Sequence, residues 1–347
     1  MHVNDAAGQG WQLSREQRKL GLKADLLVFN ETPFDYGYDF NLNYKESFTG
    51  KIKLNFNFPL WFKRELFDYD VFHFYSKYRR FFSSQLALFD FDIKLLKALN
   101  KKFILHFLGS DARQLDIHSK YKYSYANELG FDPKIEEAKR QRIRWYKSFA
   151  DLLIVGDYEL EEYVANSVVL PIAYDADTLE SLKTSFSSGN SVKICHSPSN
   201  RIIKGTQVIV AAIKKLKNEL KEFDIELQLV EAVSHKKALE IYAKADICVD
   251  QMRIGSYGTF AVESMALGKP VVSYIRDDLI SKYTDLPIIN ANPDNLYQKL
   301  KATILNKDFR LKSGVKGKSY IRDRHLPQTV AAKSIELYLG INDKKTF

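Results

Sequence analysis

A glycine-rich loop between an apolar run and a helical pattern is the feature of this chain best suited to binding an anion. Residues 247–249 are apolar and typical of a buried parallel strand, the letters GSYGT follow at 255–259, and apolar residues then recur with helical spacing until Gly268. A helix amino terminus attracts phosphate because its first amides are unpaired and its dipole is positive there. The loop therefore predicts a phosphate site, and an ordinary turn in a β-α-β unit is the alternative.

The stretch VESMALGKPVV at 262–272 resembles the C-terminal donor-site motif of the retaining GT-B glycosyltransferases, in the large family 4 (group 1 type) that builds bacterial polysaccharides and glycolipids. The resemblance implies that Glu263 binds the ribose hydroxyls of a nucleotide sugar. It implies six further donor contacts: Gly258, Thr259 and Phe260 with the diphosphate, and Gly255, Ser256 and Tyr257 on the sugar side. The sequence departs from the motif at Gly255, where the family has a glutamate.

The stretch HSPSNRIIKG at 196–205 carries the same resemblance. In the family an arginine and a nearby lysine hold the donor diphosphate, which implies that role for Arg201 and Lys204. Fixed cations stabilise the charge that grows on the leaving β-phosphate, so the resemblance implies that no metal or other cofactor is needed. It also implies that Ala232 and Val233 receive the base through backbone groups. An exposed arginine and lysine beside a turn are the alternative.

Candidates in the first half of the chain follow from its opening loop and from the apolar run 102–107. The letters DAAGQG at 5–10 are typical of the first loop of a Rossmann-like domain, and the resemblance implies that Gly8 and Gly10 approach the donor. His106 shares a strand face with position 108, where the family often has a histidine. We therefore name His106 and Asp111 as catalytic candidates. A buried structural histidine and a helix-capping aspartate are the alternatives.

Strands alternating with helices position these residues and predict an α/β fold with parallel sheets. With the resemblance, this implies GT-B: two Rossmann-like domains facing a cleft. The expected boundaries are an acceptor-side domain at 1–173, a donor domain at 174–326 and a helix at 327–347 that returns to the first domain. Residues 30–70 are poorly periodic and are interpreted as a loop over the acceptor.

Charge and composition indicate which classes of ligand and partner the protein is expected to bind. Of a net charge of +9, residues 176–347 carry 27 Lys and Arg against 19 Asp and Glu, which suits a phosphorylated ligand. No nucleic-acid motif is present, and nucleic acid is not expected as a partner. Two cysteines are interpreted as reduced core thiols, and the absence of a long apolar run predicts a cytoplasmic protein.

Two basic, aromatic stretches at 77–82 and 139–147 suggest docking on an anionic membrane, at the inner face of the plasma membrane. A solvated helix face is the alternative, and is favoured for 139–147 because Glu136 and Glu137 precede it. The Asp-x-Asp triplets at 68–70 and 90–92 are interpreted as solvent-facing carboxylates rather than metal ligands.

The function expected from the resemblance is metal-independent transfer of a sugar, with retention, from a nucleotide-diphosphate sugar to a glycan or lipid-linked acceptor. A non-catalytic nucleotide-sugar binder remains an alternative, because of Gly255 and Leu108. A GT-B-fold nucleotide-sugar 2-epimerase is a third reading, although no second set of acid and base residues is evident.

Overall fold

The computed structural model describes residues 1–30, 36–42, 66–75 and 91–343. Within this part the chain forms two compact units, each built around a parallel sheet. The first unit takes Met1–Arg113, Glu137–Ala173 and the chain from Pro327, and the second takes Gln114–Glu136 and Tyr174–Leu326. The predicted α/β class with two Rossmann-like domains is confirmed. The segment Gln114–Glu136, which the sequence analysis placed in the first domain, lies with the second.

The strands are short and mostly buried on both faces, as parallel strands covered by helices must be. In chain order they are β1 His2–Val3, β2 Leu26–Val28, β3 Phe40–Asn41, β4 Val71–Tyr75, β5 Lys102–Phe107, β6 Leu152–Val155, β7 Val168–Val169, β8 Ser191–His196, β9 Asp224–Leu229, β10 Ile247–Val249, β11 Val271–Ser273 and β12 Ile289–Asn290.

The α-helices alternate with these strands. They are α1 Gln9–Lys19, α2 Phe91–Ala98, α3 Leu115–His118, α4 Ala126–Leu129, α5 Pro133–Lys147, α6 Ala176–Glu180, α7 Arg201–Lys204, α8 Thr206–Glu219, α9 His235–Tyr242, α10 Thr259–Ala266, α11 Asp277–Ile280, α12 Leu296–Leu305, α13 Lys307–Arg324 and α14 Pro327–Asp343.

In the first unit the described strands form one parallel sheet in the order β3-β2-β1-β4-β5-β6-β7. Leu13 of α1, Ile104 of β5 and Val330 of α14 share a core in which each is at most 1% exposed. The final helix therefore packs within the first unit, since its apolar face needs the cover that α1 and the sheet provide.

In the second unit the sheet order is β12-β11-β10-β8-β9, again parallel. Because parallel strands end at the same edge, the loops after β8, β9 and β10 gather there. These are the loops that carry the donor-site candidates. Ile194, Ile209 and Val249 anchor them in a core from which solvent is excluded.

The helix α13 was not predicted, because its sequence contains Gly314, Gly317 and many charges. The structure explains both glycines. A Cβ on Gly314 would lie 2.0 Å from the Gly268 carbonyl oxygen, and one on Gly317 would lie 3.1 Å from Met265 Cγ. The glycines allow α13 to approach α10 closely, a requirement set by a segment about fifty residues away.

The structure also bears on the interpretation of the basic stretches and of the Asp-x-Asp triplets. The basic stretch 139–147 lies on α5, where Glu137 pairs with Arg140 and Arg144 at 2.8 and 2.7 Å, which favours the solvated-face alternative. Asp70 is paired with Lys101 at the surface. Residues 77–82 and Asp90, and most of 30–70, lie outside the described residues.

Three buried histidines connect β1, β4 and β5 in the first unit. His73 Nε2 lies 3.2 Å from His106 Nδ1, and His73 Nδ1 lies 2.6 Å from the Tyr338 hydroxyl. His2 contacts Tyr75 at 3.0 Å and Gln17 at 2.8 Å. Burial lowers the pKa of His2 and of His106 to about 3, so the rings are neutral in the fold.

This cluster predicts acid sensitivity. Because the folded-state pKa values lie below the usual 6.5, the stabilisation is complete above pH 6.5 and is lost as the pH falls toward 3. Each histidine that must take up a proton on unfolding contributes up to about 1.4 kcal/mol per pH unit. We expect the urea midpoint to fall between pH 7 and pH 4, and to fall less steeply in His106→Gln.

The matched control is His235→Gln, in the second unit. The pKa of His235 is raised rather than lowered, so this change should leave the slope below pH 6.5 as it is in the wild type. An unchanged slope in His106→Gln would contradict the proposed role of the cluster.

Candidate functional site

Lys204 is held in a fixed position at the carboxyl edge of the second sheet. It ends α7, a single turn that Asn200 caps by accepting hydrogen bonds from the amides of Ile202 and Ile203. Its Nζ donates to Asp250 Oδ1 at 3.3 Å and to Gln251 Oε1. Its side chain is 14% exposed, so the ammonium is positioned by two acceptors before any ligand binds.

Asp250 links this cation to the glycine-rich loop. Its carboxylate directly follows β10, is almost inaccessible, and accepts a second hydrogen bond from the Gly258 amide at 2.8 Å. A Cβ at Gly258 would lie 3.1 Å from Lys204 Nζ, so glycine lets the loop approach the ammonium. One residue predicted to bind phosphate thus already has its amide occupied. The next amides, those of Thr259 and Phe260, begin α10 and have no acceptor within the helix.

The side chain of Glu263 faces α9. His235 Nε2 lies 2.7 Å from Glu263 Oε1, and both side chains are mostly buried. Burial alone would lower the pKa of His235, but the hydrogen bond and the charge of Glu263 outweigh it and raise that pKa. The charged pair is therefore complete below pH 6.5 and weakens as the pH rises through the raised pKa. His235 orients the carboxylate assigned to the ribose.

Arg201 and the predicted base loop are joined by a two-pronged ion pair. The Nε and Nη2 atoms of Arg201 donate to Glu231 at 2.9 and 2.5 Å. Ala232 adopts a left-handed backbone, with φ of 54°, and Val233 beside it is exposed. The guanidinium is itself largely exposed, so this pair contributes little to stability and can open.

Gly255 stands where the resemblance would place a glutamate, and the structure shows what fills that space. Its φ is +93°, and a Cβ would lie 2.2 Å from Arg276 Cγ. Arg276 is stacked 3.8 Å from the Tyr121 ring centre and pairs with Asp278 at 2.8 Å. A glutamate at 255 would have to displace this arginine.

The side chains of three donor-side candidates point into the protein. Tyr257 is 7% exposed and its hydroxyl lies 3.0 Å from His325 Nε2. Phe260 packs edge-on against Tyr242, and Ser256 is buried. These positions therefore present backbone groups, rather than side chains, to any ligand.

Four residues that position the candidate site, Asp250, Gln251, His235 and His196, were not predicted from the sequence. His196 ends β8 and contacts the Val249 carbonyl at 2.7 Å and the Thr206 hydroxyl at 2.9 Å, which ties two strands to the start of α8. For Asp250 and Gln251 the signal available was position, because polar residues that directly follow an apolar parallel strand lie at the carboxyl edge of the sheet.

In the first unit, the opening loop has a structural explanation. Gly8 has φ of +74°, and a Cβ on it would lie 2.9 Å from Tyr36 Cδ1; a Cβ at Gly10 would lie 2.9 Å from Leu26 Cδ1. The Gly10 amide donates to Asp5 Oδ1 at 2.8 Å. Burial raises the pKa of Asp5 to about 6. The glycines thus serve a tight turn whose first amides face an internal carboxylate.

The two catalytic candidates lie in different surroundings. His106 is 1% exposed within the histidine cluster, which favours its structural alternative. Asp111 closes the turn after β5 by accepting from the Gly109 amide at 2.7 Å. Burial raises the pKa of Asp111, against the opposing effect of these backbone bonds. Their catalytic roles stay predictions.

Among 1–30, 36–42, 66–75 and 91–343, no group of three or more His, Cys, Asp or Glu side chains is arranged to hold a metal ion. Across the same ranges, none of the helices combines the length and apolar character needed to span a membrane.

The position of Asp250 yields a stability prediction. Asp250→Asn keeps the size of the side chain but leaves the poorly exposed Lys204 cation without its charged partner, and we expect the free energy of unfolding to fall by about 3 kcal/mol. Urea unfolding followed by circular dichroism measures this. The control, Glu240→Gln, removes a carboxylate from the surface pair with Lys237 and should leave the midpoint unchanged. A fully stable Asp250→Asn would contradict the assignment.

The contact between Gly255 and Arg276 predicts coupling between the two positions. Gly255→Ala should lower the free energy of unfolding by about 2 kcal/mol or more, because of the positive φ and the crowded Cβ. Arg276→Ala removes the crowding, so the double variant should lose less than the sum of the single ones. Gly340→Ala, in α14 with open space around it, is the control and should not destabilise. Additive losses would show that the two residues are independent.

No protein-family model matches the chain, and no curated sequence matches it. Solved structures do. Sucrose-phosphate synthase from Thermosynechococcus elongatus has a TM-score of 0.66 at 13% identity over 99% of both chains. HepE from Anabaena, in complex with UDP and glucose, has 0.59 at 13% over 98% of this chain and 99% of its own. An alpha-glucosyltransferase with UDP and DNA has 0.55 at 12% over 98% of both. At such identity the likeness shows the fold, which is of the GT-B class.

Proposed function

We propose that this protein transfers a sugar from a nucleotide-diphosphate sugar to a glycan or lipid-linked acceptor. One observation carries the proposal: Lys204 Nζ is fixed beside Gly258, at the amino terminus of α10, the helix that also bears Glu263. A cation, unpaired helix amides and a carboxylate held by His235 are the groups needed for a diphosphate and a ribose. The solved structures that contain UDP make UDP-sugars the first donors to test.

The chemistry assigned to these groups is stabilisation of a leaving group. When the bond between the sugar and the β-phosphate oxygen breaks, negative charge grows on the diphosphate. The proposal assigns the stabilisation of this charge to the Lys204 ammonium and to the amides of Thr259 and Phe260. Because Asp250 and Gln251 already hold Lys204, the reaction would require little reorganisation. We propose on this basis that the transfer needs no divalent cation. We further propose, from the resemblance of the donor motif, that the anomeric configuration is retained.

A panel of UDP- and GDP-sugars, each with glycan and lipid-linked acceptors, tests the proposal. Transfer that persists in EDTA, with retained configuration by NMR, is the expected result. Binding without turnover would favour a non-catalytic binder, the reading suggested by Arg276 filling the space beside Gly255. Release of an epimerised free donor would instead identify an epimerase and overturn the proposal.

The donor-site assignment makes a quantitative prediction. Lys204→Ala and Glu263→Ala should each weaken donor binding or use at least tenfold, equivalent to about 1.4 kcal/mol, because each removes a direct contact with the nucleotide. Calorimetry with UDP measures this. Lys237→Ala, an exposed lysine paired with Glu240, is the control and should bind as the wild type does. Unchanged affinity for UDP in both site variants would contradict the donor-site assignment.

A further inference from the structure

A groove of about 510 Å³ lies in the second unit, beside the candidate donor site, with which it shares Arg201. Its walls come from α4, α7, α8 and the loop after β10. Its lining includes the charged residues Glu128, Arg201, Lys214 and Arg253 and the apolar residues Ile202 and Val210. Lys204, Gly258 and Glu263 are not among its lining residues.

The charged residues that line the groove are mostly cationic. Arg201, Lys214 and Arg253 line it, and among the lining residues that the structure describes Glu128 is the one carboxylate. Glu128 pairs with Arg253 Nη2 at 3.0 Å, which leaves the positive charge of Lys214 unbalanced within the groove. An anion is therefore the ligand that its electrostatics favour.

Arg253 provides a second indication. Its Nε atom is buried and has no hydrogen-bond partner among the described residues. Buried donors without an acceptor are uncommon in native proteins and point to a missing partner. Its Cγ would lie 3.1 Å from a Cβ on Gly205, a residue with φ of +74°, so the turn between α7 and α8 is shaped to admit this side chain. The arginine is thus held at the groove by the fold.

The other lining residues indicate the chemical class of the ligand. Ile202, Val210 and Ala211 are apolar, and Gln207 adds an exposed amide. A pyranose ring has an apolar C–H face and hydroxyls at its edge, which suits such a mixed wall, whereas a bare inorganic ion would use only the cations. The volume lies in the range of small-ligand pockets, roughly 300–1,000 Å³.

We propose that this groove binds an anionic saccharide, a hexose that carries a carboxylate or a phosphate group. The anion lies between Lys214 and Arg253, and the ring lies against Val210 and Ala211. The anion is assigned to Lys214 and Arg253, and the nucleotide is assigned to Lys204 and Glu263, so the two proposals can be tested separately although Arg201 borders both sites.

Calorimetry on the full chain tests the proposal with four probes: glucuronate, glucose 6-phosphate, glucose and inorganic phosphate. We expect one or both anionic sugars to bind in the millimolar range or tighter, at least tenfold more strongly than glucose or phosphate. The relative affinities of glucuronate and glucose 6-phosphate identify which anion is preferred. Failure of both anionic sugars to bind, or equal binding of glucose or of phosphate alone, would overturn the proposal.

Two variants with opposite expected effects connect the binding to this groove. Lys214→Gln should weaken binding of the preferred sugar at least tenfold, because it removes a cation. Glu128→Gln should strengthen it several-fold, because it removes the competing carboxylate and frees Arg253. Lys217→Gln, an exposed lysine on the same helix outside the groove, is the matched control and should bind as the wild type does. Unchanged affinity in both groove variants would refute the assignment.

The nucleotide site is separated from the groove by a crossed comparison. Lys204→Ala should retain binding of the anionic sugar, and Lys214→Gln should retain binding of UDP. Loss of the anionic sugar in Lys204→Ala would place that ligand at the nucleotide site and overturn the groove proposal. This outcome leaves the proposed transferase function standing.

Discussion

The carboxylate of Asp250 is the constraint on which the loops at the carboxyl edge of the second sheet depend. One oxygen holds the Lys204 ammonium, and the other holds the Gly258 amide that precedes α10. It can do both because it directly follows the buried strand β10, whose position the sheet fixes. A carboxylate so poorly exposed requires compensating charge and hydrogen bonds, and the lysine and the amide supply them. The cation, the loop and the helix start are therefore fixed relative to one another before a ligand arrives.

The first unit has a similar arrangement, in which Asp5 and Gly10 correspond to Asp250 and Gly258. Asp5 accepts from the Gly10 amide, as Asp250 does from Gly258, but within the described part of the chain no cation is bonded to Asp5, and burial raises its pKa. In both loops an internal carboxylate takes an amide that a glycine-rich motif would offer to a phosphate. What distinguishes the second loop is the ammonium of Lys204 beside it. A glycine loop before a helix is thus a weaker indication of phosphate binding than the charge placed next to it.

The segment Gln114–Glu136 adds to the second unit contacts that its position in the chain does not suggest. Lys122 and the Tyr123 hydroxyl both bind Asp294, Tyr121 stacks on Arg276, and Glu128 pairs with Arg253. The stack on Tyr121 keeps Arg276 in the space beside Gly255. At this position the space next to the backbone is therefore filled by an arginine side chain, where the donor motif has a glutamate.

The sequence by itself determined the α/β class, the strands β5 and β10, and the position of Arg201 and Lys204 in the segment that follows β8. These follow from local periodicity and from the rule that loops after parallel strands gather at one edge. Only the tertiary structure decided that Asp250 holds Lys204 and that His235 holds Glu263. It also decided that His106 is a core residue and that α13 is a helix despite its two glycines. The reason is physical: burial of a polar group and close approach of two backbones depend on partners distant in sequence, which short-range patterns do not encode.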